Sequence, residues 1–438
     1  MKATKTPTNT KYANVAADSN LISFGRLCRS AIDHLRLSTN TGQCTIGNGG
    51  QFGVDGNNYR ISLTQTVNQS RTSNFNSRLK IQDVVMFYRL KSMMRFIGHV
   101  ACLAGTLALG GPLVAHAQVE KPSIKFSQSW LFQAAQAMFP LAADRGYWKA
   151  EGLDVSIDRG SGSTSAVQRV VSGTHDLGFA DVGTVVKWNA ENPGRELLMV
   201  YVPEDGFPMV AVALKSRNIA RPIDLEGKKI GAPSFDGARQ MFPPFAKATG
   251  INQEKINWIT MDGNLRETML VRGEVDVITG FITSVIPSIE RLGVKASDLN
   301  VIRYRDYKLD GFGNAIIGTR EFVNKHPRAV TAFVKGLNRA MKDLITDPDA
   351  AIASIRARDP LISTETESAR LRLYVKELLL TDNVRRNGFS AVEPAKLDAT
   401  IASVIDAYSL KTSVTGSSVY TDRFLPPRSD RLPPAYRE

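Results

Sequence analysis

The chain has 438 residues, enough for two or more domains, and a formal charge of +13. That charge is concentrated at the front: residues 1–117 carry 13 Lys and Arg against 4 Asp and Glu, and the remainder 42 against 38. The net charge therefore gives no reason to expect nucleic-acid binding, which needs a basic patch on the folded part. The three cysteines, Cys28, Cys44 and Cys102, all precede residue 118, so a chain beginning there has no disulfide, thiol nucleophile or Cys-bound metal.

Residues 1–92 are poor in apolar periodicity over most of their length and rich in Ser, Thr, Asn and Gln. They are expected to be disordered or to result from a mis-assigned gene start, with Met86, Met93 or Met94 as alternative starts. Residues 93–117 read as a secretory signal peptide: Arg95, an apolar run over 97–114, and Ala115-His116-Ala117 before Gln118. Cleavage is expected near Ala117-Gln118, which places the mature chain in the periplasm. The residues before Cys102 make a poor lipobox, so a soluble exported protein is expected rather than a lipid-anchored one.

The mature part opens with a strand over 124–127, a polar and aromatic turn, and a helix over 134–144. A unit of strand, loop, helix, Gly-x-x-Asp and strand then occurs twice. Val171-Ser-Gly-Thr-His-Asp is matched one hundred positions later by Val271-Arg-Gly-Glu-Val-Asp. Gly173 and Gly273 fall where a helix must end with positive φ, and Asp176 and Asp276 where a buried strand begins. Strands are also expected over 153–157, 209–214, 229–232, 256–260 and 301–304, with a return strand within 311–318. Helices are expected over 328–346, 348–357, 365–380 and 394–408, then a loose Pro/Arg-rich tail from 424.

Arg145-Gly-Tyr-Trp-Lys-Ala-Glu-Gly-Leu-Asp-Val-Ser-Ile resembles a signature of periplasmic substrate-binding proteins of the nitrate/taurine/sulfonate ABC-transporter group. That group includes binding proteins for thiamine-pyrimidine precursors. The resemblance continues through Gly160-Ser-Gly-Ser-Thr, the first Gly-x-x-Asp unit and Asp224-Leu-Glu-Gly-Lys-Lys-Ile-Gly, and covers about 121–345. It implies an α/β, two-lobed type II periplasmic binding protein fold with a helical C-terminal extension. Lobe one would comprise 118–211 and 309–438, and lobe two 212–308. The partners it implies are a small-molecule ligand and an ABC permease and ATPase complex. A monomer is expected, with no cofactor.

In α/β sheets, ligands bind outside the carboxyl ends of strands. That rule selects the candidate site residues. Ser161, Ser163 and Thr164 sit at a helix start, where free N–H groups suit a carboxylate, sulfonate or phosphate or form an ordinary cap. Ser234 and Asp236 form a similar start in the second lobe, with Arg239 one turn in as a candidate cation. Trp130, Phe132, Phe207, Phe235 and Phe281 offer aromatic walls, with Gln128, Val182 and Thr279 at the same edges. Asp181 and Asp205 could hold an amine or ring N–H, and Asp181 could equally cap its helix. No catalytic or metal-binding set is expected.

The favoured reading is a non-enzymatic receptor for a sulfonate, a carboxylate or an aromatic or heterocyclic acid, held between closing lobes. The alternative is pyrimidine-precursor binding or a synthase-like enzyme of the same fold. That enzyme type depends on His, Cys and iron, whereas the mature part holds only His175 and His326. A sensor or adhesion domain, the third reading, calls for a fused transmembrane or signalling segment.

Overall fold

Two five-stranded mixed sheets carry most of the chain between residues 123 and 319. The computed structural model describes residues 119–412 and 414–436, together with a separate antiparallel hairpin, β1 (Gln43–Ile46) and β2 (Gly50–Gly53). The rest of the expected disordered stretch and the signal peptide at 93–117 lie outside the described residues.

The first sheet is built from β3 (Ser123–Ser127), β4 (Asp154–Asp158), β5 (Leu177–Asp181), β6 (Leu197–Tyr201) and β12 (Asn314–Thr319). Its order is β4-β3-β5-β12-β6; β3 runs parallel to β4 and β5, and β12 antiparallel to its neighbours. The second sheet uses β7 (Met209–Leu214), β8 (Lys229–Ala232), β9 (Asn257–Thr260), β10 (Val277–Phe281) and β11 (Leu299–Arg303), in the order β11-β7-β10-β8-β9. Each sheet thus has one antiparallel strand, β12 or β7, that follows a crossover from the other sheet. Strands buried on both faces read as continuous apolar runs, as Met-Val-Ala-Val-Ala-Leu does in β7.

The repeated unit has a structural role. Gly173 and Gly273 adopt φ of 74° and 73° at the ends of α2 (Ser163–Val171) and α5 (Arg266–Val271). Asp176 accepts the Lys125 backbone N–H at 2.8 Å, and Asp276 accepts that of Lys229 at 3.0 Å. Each carboxylate therefore ties its own strand to the neighbouring parallel strand, once per sheet.

Aromatic packing holds the helical extension to the first sheet. Phe126 lies between Phe139 of α1 (Met138–Asp144) and Phe333 of α7 (Pro327–Thr346), at centroid distances of 4.6 and 5.2 Å. Trp148 stacks on Phe333 at 4.8 Å and donates its indole N–H to the Phe333 carbonyl. Gly336 leaves room for that indole, since a Cβ there would lie 2.3 Å from Trp148 Cδ1. Each aromatic pair contributes about 0.5–1.5 kcal/mol beyond area burial.

Three local expectations change. The helix over 134–144 breaks into a 3-10 turn, Ala134–Gln136, and α1; Pro140 has no N–H for the Gln136 carbonyl. The helix over 365–380 becomes α9 (Thr364–Tyr374) followed by a π turn, Val375–Leu379. The tail is packed rather than loose: Phe424 is buried, and Arg431 donates to the carbonyls of Phe389 (2.6 Å) and Pro426 (3.0 Å).

Candidate functional site

The carboxyl ends of strands from both sheets meet at one cleft. The first sheet contributes Ser129 and Trp130 after β3, and Gly162 and Ser163 at the start of α2. The second contributes Asp236 and Gly237 after β8, Arg266 at the head of α5, and Phe281 at the end of β10. Glu204 enters from the crossover between β6 and β7, and Asn314 from the first residue of β12. Gln136, Thr283 and Ser284 complete the walls used below.

The two sides touch. The Thr164 backbone N–H donates to the Phe235 carbonyl at 3.3 Å. Gly162 has φ of 144°, and a Cβ there would lie 2.1 Å from the same oxygen. A Cβ on Gly237 would lie 2.5 Å from Asp181 Oδ2, and one on Gly263 would lie 2.5 Å from the Trp130 ring. The seam is closed to backbone distance, which only glycine permits.

The ionisable groups at the cleft are mostly buried. Arg266 is 1 % exposed and binds Glu267 at 2.6 and 3.0 Å, Asp236 at 3.4 Å and the Thr279 carbonyl at 3.3 Å. Its guanidinium lies 5.1 Å from the Trp130 ring centroid. Burial opposes its charge, but Glu267 and Asp236 outweigh that and raise its pKa. Glu204 accepts the Asn314 backbone N–H (2.7 Å) and side-chain Nδ2 (2.9 Å). Burial nevertheless lifts its carboxyl to about 8. Burial also lifts Asp236 to about 6 against the pull of Arg266, and raises Asp181. Two cleft amides have a buried oxygen with no partner among the described residues, Gln136 Oε1 and Asn314 Oδ1. Their nitrogens are engaged, by Ser129 Oγ at 3.0 Å and by Glu204.

These shifts predict how stability depends on pH. Glu204 is raised from an ordinary 4.5 to about 8, so over that interval the folded state holds the proton that the unfolded state has lost. Stability is then highest at the acid end of the interval and falls as pH rises toward 8, with Asp236 adding its fall below about 6. We expect the urea midpoint to drop between about pH 5.5 and pH 8.5, and Glu204→Gln to remove most of the drop. A midpoint that rises, or an unchanged slope in Glu204→Gln, would contradict the burial of an uncompensated carboxyl.

Of the candidates named from sequence, Trp130, Ser163, Asp236 and Phe281 line the cleft. Asp181 is buried behind it and caps α3 (Val182–Glu191), accepting the Thr184 N–H at 2.9 Å and its hydroxyl at 2.5 Å. Gln128, Val182 and Thr279 are buried in the strand ends, and Phe207 is in the core. Thr164 sits on the seam, Phe235 is 40 % exposed beside it, Phe132 is half-buried, and Ser161 and Ser234 face solvent. Two expected ligand groups are engaged elsewhere. Asp205 is held by Thr381 Oγ1 (2.5 Å) and Asn383 Nδ2 (2.9 Å) of the helical extension. Arg239 binds the Ala232 carbonyl and Thr260 Oγ1 and lies over Trp258, off the cleft. His175 pairs with Asp158 at 2.9 Å, and His326 precedes α7; neither lines the cleft.

Two sheets joined by crossovers, with a cleft at their strand ends, define a two-lobed periplasmic binding-protein fold. Solved structures agree: the alkanesulfonate-binding protein SsuA from Xanthomonas axonopodis pv. citri matches with a TM-score of 0.54 and 15% identity, over 69% of this chain and 99% of its own. The family described as NMT1/THI5 like matches residues 133–351, half of the chain, and the chain belongs to it. A formylaminopyrimidine-binding protein of Halalkalibacterium halodurans is 21% identical over 274 residues, 58% of this chain and 78% of the relative. A 4-amino-5-hydroxymethyl-2-methylpyrimidine phosphate synthase of Schizosaccharomyces pombe is 25% identical over 240 residues, 51% and 66% respectively.

Proposed function

We propose that this chain is an exported receptor that captures a small planar heterocycle bearing N–H donors, of the aminopyrimidine kind, for a membrane importer of the ABC type. One observation carries the reading. Two buried acceptors of the cleft, Gln136 Oε1 and Asn314 Oδ1, lack partners among the described residues, and they share the cleft with Glu204 and Asp236. Arg266 is already committed to Glu267 and Asp236. A sulfonate or carboxylate would have to displace those partners from Arg266 in the presence of the Asp236 carboxylate. An amino or ring N–H instead meets waiting oxygens, and each buried acceptor left unmade costs about 1–3 kcal/mol. Trp130 and Phe281 supply flat apolar surface for the ring.

The relative named for formylaminopyrimidine binding supports this ligand class, and the receptor-type neighbours support delivery to a transporter. The synthase relative supports the same ring chemistry with a different outcome. We favour capture over catalysis because both described histidines sit away from the cleft.

A thermal-shift panel tests the ligand class. Aminopyrimidines should raise the melting temperature, since ligand at 100 times its dissociation constant adds about 2.7 kcal/mol. Alkanesulfonates and nitrate should leave it unchanged. Stabilisation by sulfonates alone would overturn the reading.

A further inference from the structure

Neither Glu367 nor Arg370 lines the cleft, yet both are buried, at 5 % and 1 % exposure, and they join its two walls. They sit one turn apart on α9 of the helical extension and pair at 2.9 Å. Glu367 accepts the backbone N–H of Ala134 at 2.6 Å. Ala134 opens the 3-10 turn whose Ala135 and Gln136 form the first-sheet wall. Arg370 reaches the opposite side, where α6 (Ile282–Arg291) begins. It donates to the carbonyls of Thr283 (2.6 Å) and Ser284 (2.8 Å), both in wall residues, and to Ser288 Oγ (3.0 Å).

The sequence explains why α6 accepts this bond. Pro287 lies inside the helix and has no N–H, so the Thr283 carbonyl four residues earlier has no partner within α6. A buried carbonyl needs a donor, and the guanidinium supplies it. Two buried charges would cost more to desolvate than they return unless each hydrogen bond is made. Here Glu367 and Arg370 spend those bonds on backbone from two different lobes.

We propose that Glu367 and Arg370 are positioning residues that set the spacing of the two cleft walls, and through it the affinity for the captured ring. The spacing half stands on these contacts alone; the affinity half rests on the capture reading above. The pair acts through Ala134–Gln136 on one side and Thr283–Ser284 on the other, without touching the ligand.

Hydrogen–deuterium exchange of the ligand-free full chain tests the spacing half. In Arg370→Met, amides of residues 131–137 and 282–288 should exchange about tenfold faster, while amides of β5 and β10 keep their wild-type rates. If the lone Glu367 charge prevents folding, the double variant Arg370→Met with Glu367→Gln removes both charges and decides the same point. Arg370→Lys keeps a cation for Glu367 but not the fork, so it should restore the 131–137 segment and leave 282–288 fast. For the affinity half, titration with 4-amino-5-hydroxymethyl-2-methylpyrimidine should show binding about tenfold weaker in Arg370→Met, the size expected for one lost charged contact. Faster exchange spread evenly over the chain would reduce the pair to a stabilising contact and overturn the proposal. Faster wall exchange with unchanged affinity would overturn the affinity half. If wild-type protein ignores the probe, the capture reading falls for that ring, and the exchange data still decide the positioning role.

Discussion

Arg266→Met should lower unfolding stability by about 3–5 kcal/mol, because it leaves two buried carboxylates without their cation. Asp236 and Glu267 are 4 % and 8 % exposed, and Arg266 lies within 3.4 Å of both. Methionine restores most of the side-chain volume, so the loss reports the charge rather than a cavity. The Thr279 carbonyl and Ser284 hydroxyl also lose a donor. Urea unfolding with unchanged slope is the readout. Arg239→Ala is the contrast: its guanidinium is at the edge of the second sheet over Trp258, 4.6 Å from the ring centroid. It should cost about 0.5–1 kcal/mol and leave ligand affinity unchanged. A small effect for Arg266→Met would mean that the buried carboxylates do not depend on this cation.

Gly162→Ala should weaken ligand binding by about tenfold or more while sparing the fold of each lobe. The residue holds φ of 144°, a region closed to alanine, and its Cβ would fall 2.1 Å from the Phe235 carbonyl of the opposite lobe. Backbone on both sides leaves no flexible side chain to give way. The backbone strain, carried whether the lobes are together or apart, lowers stability by about 1–3 kcal/mol. Separating the lobes relieves the clash, so the clash falls on the closed state alone, and each ~1.4 kcal/mol of it weakens binding about tenfold. Circular dichroism should remain that of the wild type. Wild-type affinity in Gly162→Ala would show that ligand is held without this seam.

The frame of the molecule was legible because it depends on local rules. A glycine at a helix end and an aspartate at a strand start recur with a period of one hundred residues, and both did what their chemistry requires. The site was less legible because side-chain direction is decided by a single residue of phase. Asp205 was the expected acid, but its neighbour Glu204 faces the cleft; adjacent residues of extended chain point opposite ways, and nothing local says which points in. The same slip occurs on α5. Leu265 reads as its apolar face yet is 53 % exposed, whereas Arg266 is buried on the side of Leu270. A charged residue four before a buried leucine was the available signal. Asn314 and Gln136 gave none: one opens a strand more than a hundred residues from Glu204, the other lies in an ordinary apolar run.

The expectation of an acidic ligand followed from hydroxyl-rich helix starts. Folding uses those groups internally: Ser163 Oγ accepts the Asp181 N–H at 3.1 Å, and Asp181 caps α3. The cleft oxygens left without partners among the described residues, Gln136 Oε1 and Asn314 Oδ1, support the proposed guest with N–H donors.

Isothermal titration of the purified chain with 4-amino-5-hydroxymethyl-2-methylpyrimidine, and in parallel with an alkanesulfonate, tests the proposed ligand class most directly. One-to-one binding of the pyrimidine with a negative heat-capacity change, and no heat from the sulfonate, is the expected result. Saturable sulfonate binding with an inert pyrimidine would contradict it.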